Sequence, residues 1–297
     1  MGKKTIFTGS GVALITPFKN GQVDYDCLGK LIEFHIENKT DALIVCGTTG
    51  EPATMPDEEH VAVIEFAVKK AAGRIPVIGG AGSNDTAHGV NLCKKIEQVG
   101  VDGFLLVTPY YNKCTQKGLV AHYQKVAGAV SVPCIVYNVP SRTGVNILPQ
   151  TVYELSKIEN IVGVKEASGK VEAAIEIAKL CGEDFAIYSG NDDITVPLMS
   201  VGAKGVISVL ANIMPRETHE MCKAALDGDF VTARKMQIEY FDLINALFSE
   251  VNPIPVKAAL HEMGMCGPEI RMPLSVIEDE HLKVLKKELL KHKLIKE

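Results

Sequence analysis

Ile161-Val162-Gly163-Val164-Lys165-Glu166-Ala167-Ser168-Gly169 runs four small or apolar residues directly into a lysine, and a Ser/Gly turn follows at once. An apolar run of this length closed by turn residues reads as a strand buried on both faces, and such strands belong to parallel sheets covered by helices. Lys165 then stands at the strand's carboxyl end, the edge at which α/β folds bind ligands. A lysine there is placed for chemistry; the bland reading is a stem packed along the strand with its ammonium in water.

Working outward, the same kind of run recurs at Gly11–Thr16, Ala42–Cys46, Pro76–Gly79, Gly103–Val107, Pro133–Tyr137, Phe185–Ser189 and Gly205–Val209, which with Ile161–Lys165 makes eight. Between them lie amphipathic stretches: Tyr25–Asn38, Glu58–Ala72, Thr86–Val99, Gly118–Val130, Val171–Leu180 and Ile194–Val201. In the first, Leu28, Leu31, Ile32 and Ile36 fall on one helical face. Asp24, Asp57 behind Pro56, and Asn84-Asp85 stand where helix caps belong.

Strand followed by helix, repeated eight times, is the order of a (β/α)8 TIM barrel, an α/β fold. A doubly wound sheet is the rival, but its dinucleotide form needs a glycine fingerprint after the first strand, and Gly9-Ser10-Gly11 precedes that run. Ala211–Leu226 reads as the eighth barrel helix and Gly228 as a break. From Asp229 only helical patterns remain, over Phe230–Ser249, Val256–Glu262 and Glu278–Lys293. The expected organisation is therefore a catalytic barrel over 1–228 and a C-terminal helical extension over 229–297 that packs on the barrel's side or serves a subunit interface.

Composition narrows the function. The 297 residues are 46% hydrophobic with a net charge of -5, which offers no general attraction to nucleic acid or an anionic membrane. The eight cysteines form no CxxC pair and several sit inside apolar runs, the pattern of reduced thiols acting as small hydrophobes. Met1 to Phe18 holds only the short apolar run Val12–Ile15, too little for a signal core, and nothing approaches the ~18 apolar residues of a membrane span. A cytoplasmic location is expected. The histidines are dispersed without paired ligand spacing, so no metal or other cofactor is expected.

If the barrel reading holds, useful residues should gather after the strands. They do: Gly47-Thr48-Thr49-Gly50-Glu51, Thr108-Pro109-Tyr110-Tyr111-Asn112, Tyr137-Asn138-Val139-Pro140-Ser141-Arg142-Thr143-Gly144, Lys165, Ser189-Gly190-Asn191-Asp192 and Ile207-Ser208. These groups suit carbonyl chemistry. Burial disfavours the ammonium form of Lys165, freeing an amine to attack a ketone and form a Schiff base. The protonated imine is an electron sink, so a neighbouring carbon can lose a proton to a carrier; Tyr137 is the candidate, with Thr48 and Tyr111 as relay. Arg142 offers a planar fork for a carboxylate.

With these residues in order, and with Val164-Lys165-Glu166, Gly205-Val206-Ile207-Ser208, Asn252-Pro253-Ile254-Pro255-Val256-Lys257 and Arg271-Met272-Pro273-Leu274, the chain resembles the pyruvate-dependent class I aldolase and lyase family along its full length. The resemblance implies condensation of pyruvate with L-aspartate 4-semialdehyde, the first step committed to diaminopimelate and lysine, without a cofactor. It implies that Lys165 forms the Schiff base, that Tyr137 passes protons with Thr48 and Tyr111, and that Thr49 and Ile207 contact pyruvate beside Gly190. It also gives Arg142 the carboxylate of the semialdehyde. In that family the counterpart of Tyr111 comes from a neighbouring subunit, which implies at least a dimer and commonly a homotetramer built as a dimer of dimers. The nearest rivals are N-acetylneuraminate lyase and the sugar-acid aldolases, which share the lysine and the tyrosine; Arg142 and the hydroxyl of Thr48 separate this chain from them. A non-catalytic binder on the same scaffold would lack Lys165 or Tyr137. For regulation, Asn84 and Tyr110 match an effector site for lysine, but His88 stands where lysine-inhibited members carry a glutamate, and Pro52 and Asp57 also depart. Weak or absent lysine feedback is expected.

Overall fold

The computed structural model describes Lys3 and residues 5–296; Met1, Gly2 and Lys4 of the amino-terminal stretch, and Glu297 at the end of the expected extension, lie outside the described residues. Eight parallel strands close into a barrel: β1 (Gly9–Ala13), β2 (Ala42–Val45), β3 (Val77–Gly80), β4 (Gly103–Val107), β5 (Cys134–Asn138), β6 (Ile161–Glu166), β7 (Ala186–Ser189) and β8 (Gly205–Ser208). β8 pairs with β1 through Gly11↔Ile207, and β1 with β2, so no edge is left open. This is the TIM barrel, with a helical part after it.

Alternation of side chains sorts the apolar residues into two bodies. Ile44, Ile78, Leu105, Ile135, Tyr137, Tyr188 and Ile207 pack inside the barrel, whereas Val45, Val77, Leu106, Val136 and Val164 pack outward against the helices. β6 departs from strict alternation. Its pairing with β5 jumps from Cys134↔Ile161 to Ile135↔Gly163, so Val162 is an inserted residue and the ladder resumes one position later. That shift decides the site, because it puts Lys165 opposite Tyr137 on the inner face; without it Lys165 would face the helices.

Most expected elements stand, with shifted ends. The first helix is Tyr25–Glu37, capped by Asp24, whose carboxylate accepts from Cys27 N at 3.0 Å. Asp85 caps Thr86–Glu97 in the same way. Asp57 is no cap: it is the first residue of its helix, behind Pro56, and its carboxylate bonds His88 and Lys95 instead. β1 begins two residues before the expected run, at Gly9. The eighth helix starts only at Pro215, after a short turn at Leu210–Asn212. A helix at Pro149–Ser156 fills the interval between β5 and β6. The stretch 230–249 is two helices, Phe230–Glu239 and Phe241–Leu247, with the break at Tyr240.

The extension does more than lie on the barrel's side. Helix Phe230–Glu239 packs on Pro215–Leu226 and Thr195–Ser200 as expected. Beyond it, Asn252, Lys257 in helix Ile254–Glu262, and Arg271 reach the turn after β2 at the carboxyl ends of the strands. No described helix is long and apolar enough to cross a membrane.

Candidate active site

The barrel mouth opens into a cavity of about 480 Å³, walled by Thr48 and Glu51 after β2, Tyr110 after β4, Tyr137 and Arg142 at β5, and Asn252 of the extension. That is the size of an ordinary small-molecule site. Tyr137 is the link from this cavity to the lysine. It is buried, and the Lys165 Nζ lies 4.3 Å from the centre of its ring.

Lys165 is 6% exposed, and its amine makes no hydrogen bond among the described residues. Burial pushes its amine down to about 7, against the opposing pull of the buried Asp192 carboxylate and with a smaller push from the Arg142 charge. A substantial fraction of the amine is therefore neutral near neutral pH. Burial also raises the Tyr137 phenol, while the Arg142 charge and a hydrogen bond with Thr48 draw it back. A raised phenol pKa keeps Tyr137 protonated and able to donate.

Gly190 follows β7 and its N–H donates to the Glu166 carbonyl at 2.7 Å. A β-carbon there would stand 2.5 Å from that of Ala167 and 3.1 Å from Lys165 Cε, so any larger residue would displace the amine. Ile207 is buried on the inner face of β8. Thr49 is buried behind the wall, its hydroxyl accepting from Asn252 Nδ2 at 2.9 Å. Arg142, on the short helix Pro140–Thr143, donates through Nη2 to the Asn252 carbonyl at 3.0 Å.

Two of the expected residues are not brought together with these. Tyr111 is 90% exposed, with φ of 69°, and does not line the cavity. Asn84 is engaged through its carbonyl, which accepts from Asn112 Nδ2. Tyr110 and His88 do reach the cavity, and His88 is tied at both ring nitrogens, to Asp57 at 2.8 Å and Ser83 at 3.0 Å. Among the described residues no three His, Cys, Asp or Glu side chains converge to hold a metal ion.

Asp192, Asn252 and the pair Glu51–Lys257 are the residues that reading the sequence left without a role. Asp192 is buried and accepts from Val209 N at 2.9 Å and Leu210 N at 3.1 Å, which ties the end of β7 to the end of β8. Lys257 Nζ meets Glu51 Oε1 at 2.6 Å with both side chains about 2% exposed, and Arg271 N donates to the other carboxylate oxygen. The motif containing Asn252 and Lys257 stands out in the sequence, but nothing there says that it folds back 203 residues to meet Thr49.

Fold and site together define a class: an α/β barrel with a desolvated lysine and a tyrosine at its mouth, an arrangement that suits carbonyl chemistry through an amine. Comparison with known proteins narrows it. Residues 6–293 match the model of the dihydrodipicolinate synthetase family. The chain is 57% identical to the 4-hydroxy-tetrahydrodipicolinate synthase of Caldicellulosiruptor saccharolyticus over 96% of its own length and 97% of the relative's. It superposes on the crystal structure of dihydrodipicolinate synthase from Aquifex aeolicus with a TM-score of 0.96 at 53% identity, covering 97% of this chain and 99% of the other. The chloride-inhibited dihydrodipicolinate synthase of Acinetobacter baumannii, complexed with pyruvate, matches with a TM-score of 0.96 at 44% identity, over 98% and 100% of the two chains. The chain belongs to the dihydrodipicolinate synthetase family.

Proposed function

We propose that this chain condenses pyruvate with L-aspartate 4-semialdehyde, as a lyase of lysine and diaminopimelate biosynthesis. The observation that carries the reading is the desolvated Lys165 amine against the Tyr137 ring. The neutral amine attacks the pyruvate ketone, the carbinolamine loses water, and a protonated imine remains on Lys165. A proton leaves the adjacent methyl carbon, its electron pair moving into the imine to give an enamine. The enamine carbon then bonds to the aldehyde carbon of the semialdehyde, whose oxygen takes a proton. Tyr137 and Thr48 carry these protons. Attack on the imine carbon, by water or by the semialdehyde's own amine, returns Lys165.

In this reading Thr49 and the main chain at Ile207 hold pyruvate with Gly190 leaving room for the amine, and Arg142 takes the carboxylate of the semialdehyde. Tyr111 completes the relay from a second subunit: its exposure on a single chain supports a homo-oligomer, proposed as a dimer of dimers. The barrel, 1–228, and the extension, 229–297, are proposed to work as one catalytic unit, in the cytoplasm. His88, held by Asp57 and Ser83, replaces a carboxylate that an effector ammonium would need, which supports weak or absent feedback by lysine.

The test is pyruvate consumption with L-aspartate 4-semialdehyde as partner, beside cleavage of N-acetylneuraminate. Turnover only in the first assay is expected; turnover only in the second would move the chain to the sugar-acid aldolases.

A further inference from the structure

The two groups assigned to carboxylates, Thr49 and Arg142, are tied together by a residue from outside the barrel. Asn252 lies between helices Phe241–Leu247 and Ile254–Glu262, is buried, and forms part of the cavity wall. Its Nδ2 donates to Thr49 Oγ1 at 2.9 Å, and its main-chain carbonyl accepts from Arg142 Nη2 at 3.0 Å. Its Oδ1 is buried without a partner.

A hydroxyl has one hydrogen to give and two lone pairs to offer. The amide of Asn252 occupies one lone pair of Thr49, so the hydroxyl's own hydrogen is left over; among the described residues it is donated to no protein atom. Buried polar groups are nearly always satisfied, and those that are not call for a reason. Here the hydrogen of a threonine behind the cavity wall and the side-chain oxygen of an asparagine that forms part of that wall both go unspent. As a device for holding the fold this is poor; as a device for keeping a donor ready for an arriving anion it is sound.

The turn bearing Thr49 is fixed around this contact. Glu51, in the left-handed region at φ 57°, is held by Lys257 at 2.6 Å and by Arg271 N at 3.1 Å, and the Gly50 carbonyl accepts from Thr16 Oγ1 at 2.8 Å. Thr49 is thereby kept within reach of Asn252.

We infer that Asn252 is a positioning residue of the condensation: its amide turns the Thr49 hydrogen toward the carboxylate of bound pyruvate, while its carbonyl holds Arg142 for the second carboxylate. The inference rests on the reading given above. Asn252 touches neither reacting carbon and acts on pyruvate through Thr49.

The test is steady-state kinetics of the full chain with four substitutions: Asn252→Ala, Asn252→Asp, Thr49→Val, and Thr49→Val with Asn252→Ala. Asn252→Ala should raise the KM for pyruvate about tenfold, the weight of one charge-assisted hydrogen bond, with a smaller change in kcat. Adding Asn252→Ala to Thr49→Val should raise that KM no further, since the effect runs through the hydroxyl. The isosteric Asn252→Asp puts an acceptor where the donor was; its carboxylate captures the Thr49 hydrogen and repels pyruvate. Its KM relative to wild type should exceed that of Asn252→Ala at pH 8 and fall as pH is lowered and the new carboxyl protonates. A wild-type KM in Asn252→Ala, multiplied effects in the double variant, or a pH-independent ratio for Asn252→Asp would overturn the inference alone. A wild-type chain that fails to consume pyruvate with the semialdehyde would overturn the reading beneath it as well.

Discussion

Two lysines are buried in this molecule, Lys165 at the end of β6 and Lys257 beside the turn after β2, and they are kept in opposite ways. Lys257 and Lys165 each stand 4.3 Å from the centre of an aromatic ring, Phe18 for the first and Tyr137 for the second. Burial lowers both amines. Lys257 nevertheless has a carboxylate at 2.6 Å, whose second oxygen accepts from Arg271 N. The Lys165 amine has no hydrogen-bond partner among the described residues, only the opposing fields of Asp192 and Arg142. A buried charge that is paired locks two parts of the chain together; the amine left unpaired is the one proposed to react.

The sharpest way to break this contrast is to remove each lysine in turn. Lys165→Met should abolish condensation, by about 10⁴-fold or more, as loss of a covalent nucleophile does. It should also stabilise the fold at neutral pH. The native amine falls from its ordinary 10.5 to about 7, so between those values the unfolded chain binds more protons and native stability rises with pH. In Lys165→Met that slope disappears, and its advantage over wild type should be full below pH 7 and gone near pH 10.5, measured by denaturant unfolding across pH. In the wild type, kcat/KM for pyruvate should rise through pH 7 and level above it.

Tyr137→Phe leaves the ring under Lys165 and removes the hydroxyl proposed to carry the proton. A loss of about 10²–10⁴ in kcat is expected with an unchanged melting temperature. Lys257→Met should do the reverse. It strands the Glu51 carboxylate, costing about 3–5 kcal/mol in denaturant unfolding, while folded molecules still form the pyruvate adduct. The smallest effect concerns the far wall of the cavity: millimolar L-lysine should leave the condensation rate within about 20% of its starting value, since an effector ammonium loses the charge-assisted bond a glutamate would give it. Inhibition at sub-millimolar lysine would contradict that.

The eight strands were legible because each is an apolar run bounded by turn residues, and Lys165 drew notice because it ends one of them. The strand ends carried Thr48, Tyr137 and Arg142 to one face for the same reason. The helix at Pro149–Ser156 escaped because its eight residues bury only Thr151, Val152 and Leu155, too few to establish a period. Asp57 imitates a cap in composition, yet its carboxylate is spent across space on His88 and Lys95. The extension's reach to the barrel mouth left no local trace, since Lys257 and Glu51 meet across 206 residues. Asn252 could be recognised within a motif, but its hold on Thr49 belongs to the fold alone.

The most direct test of the contrast is borohydride reduction in the presence of pyruvate, followed by digestion and mass spectrometry of the lysine-containing peptides. A reduced pyruvyl adduct confined to Lys165, with Lys257 unmodified in the same folded sample, is the expected result. A folded protein that carries the adduct on Lys257, or on no lysine, would contradict the assignment of Lys165 as the reacting amine.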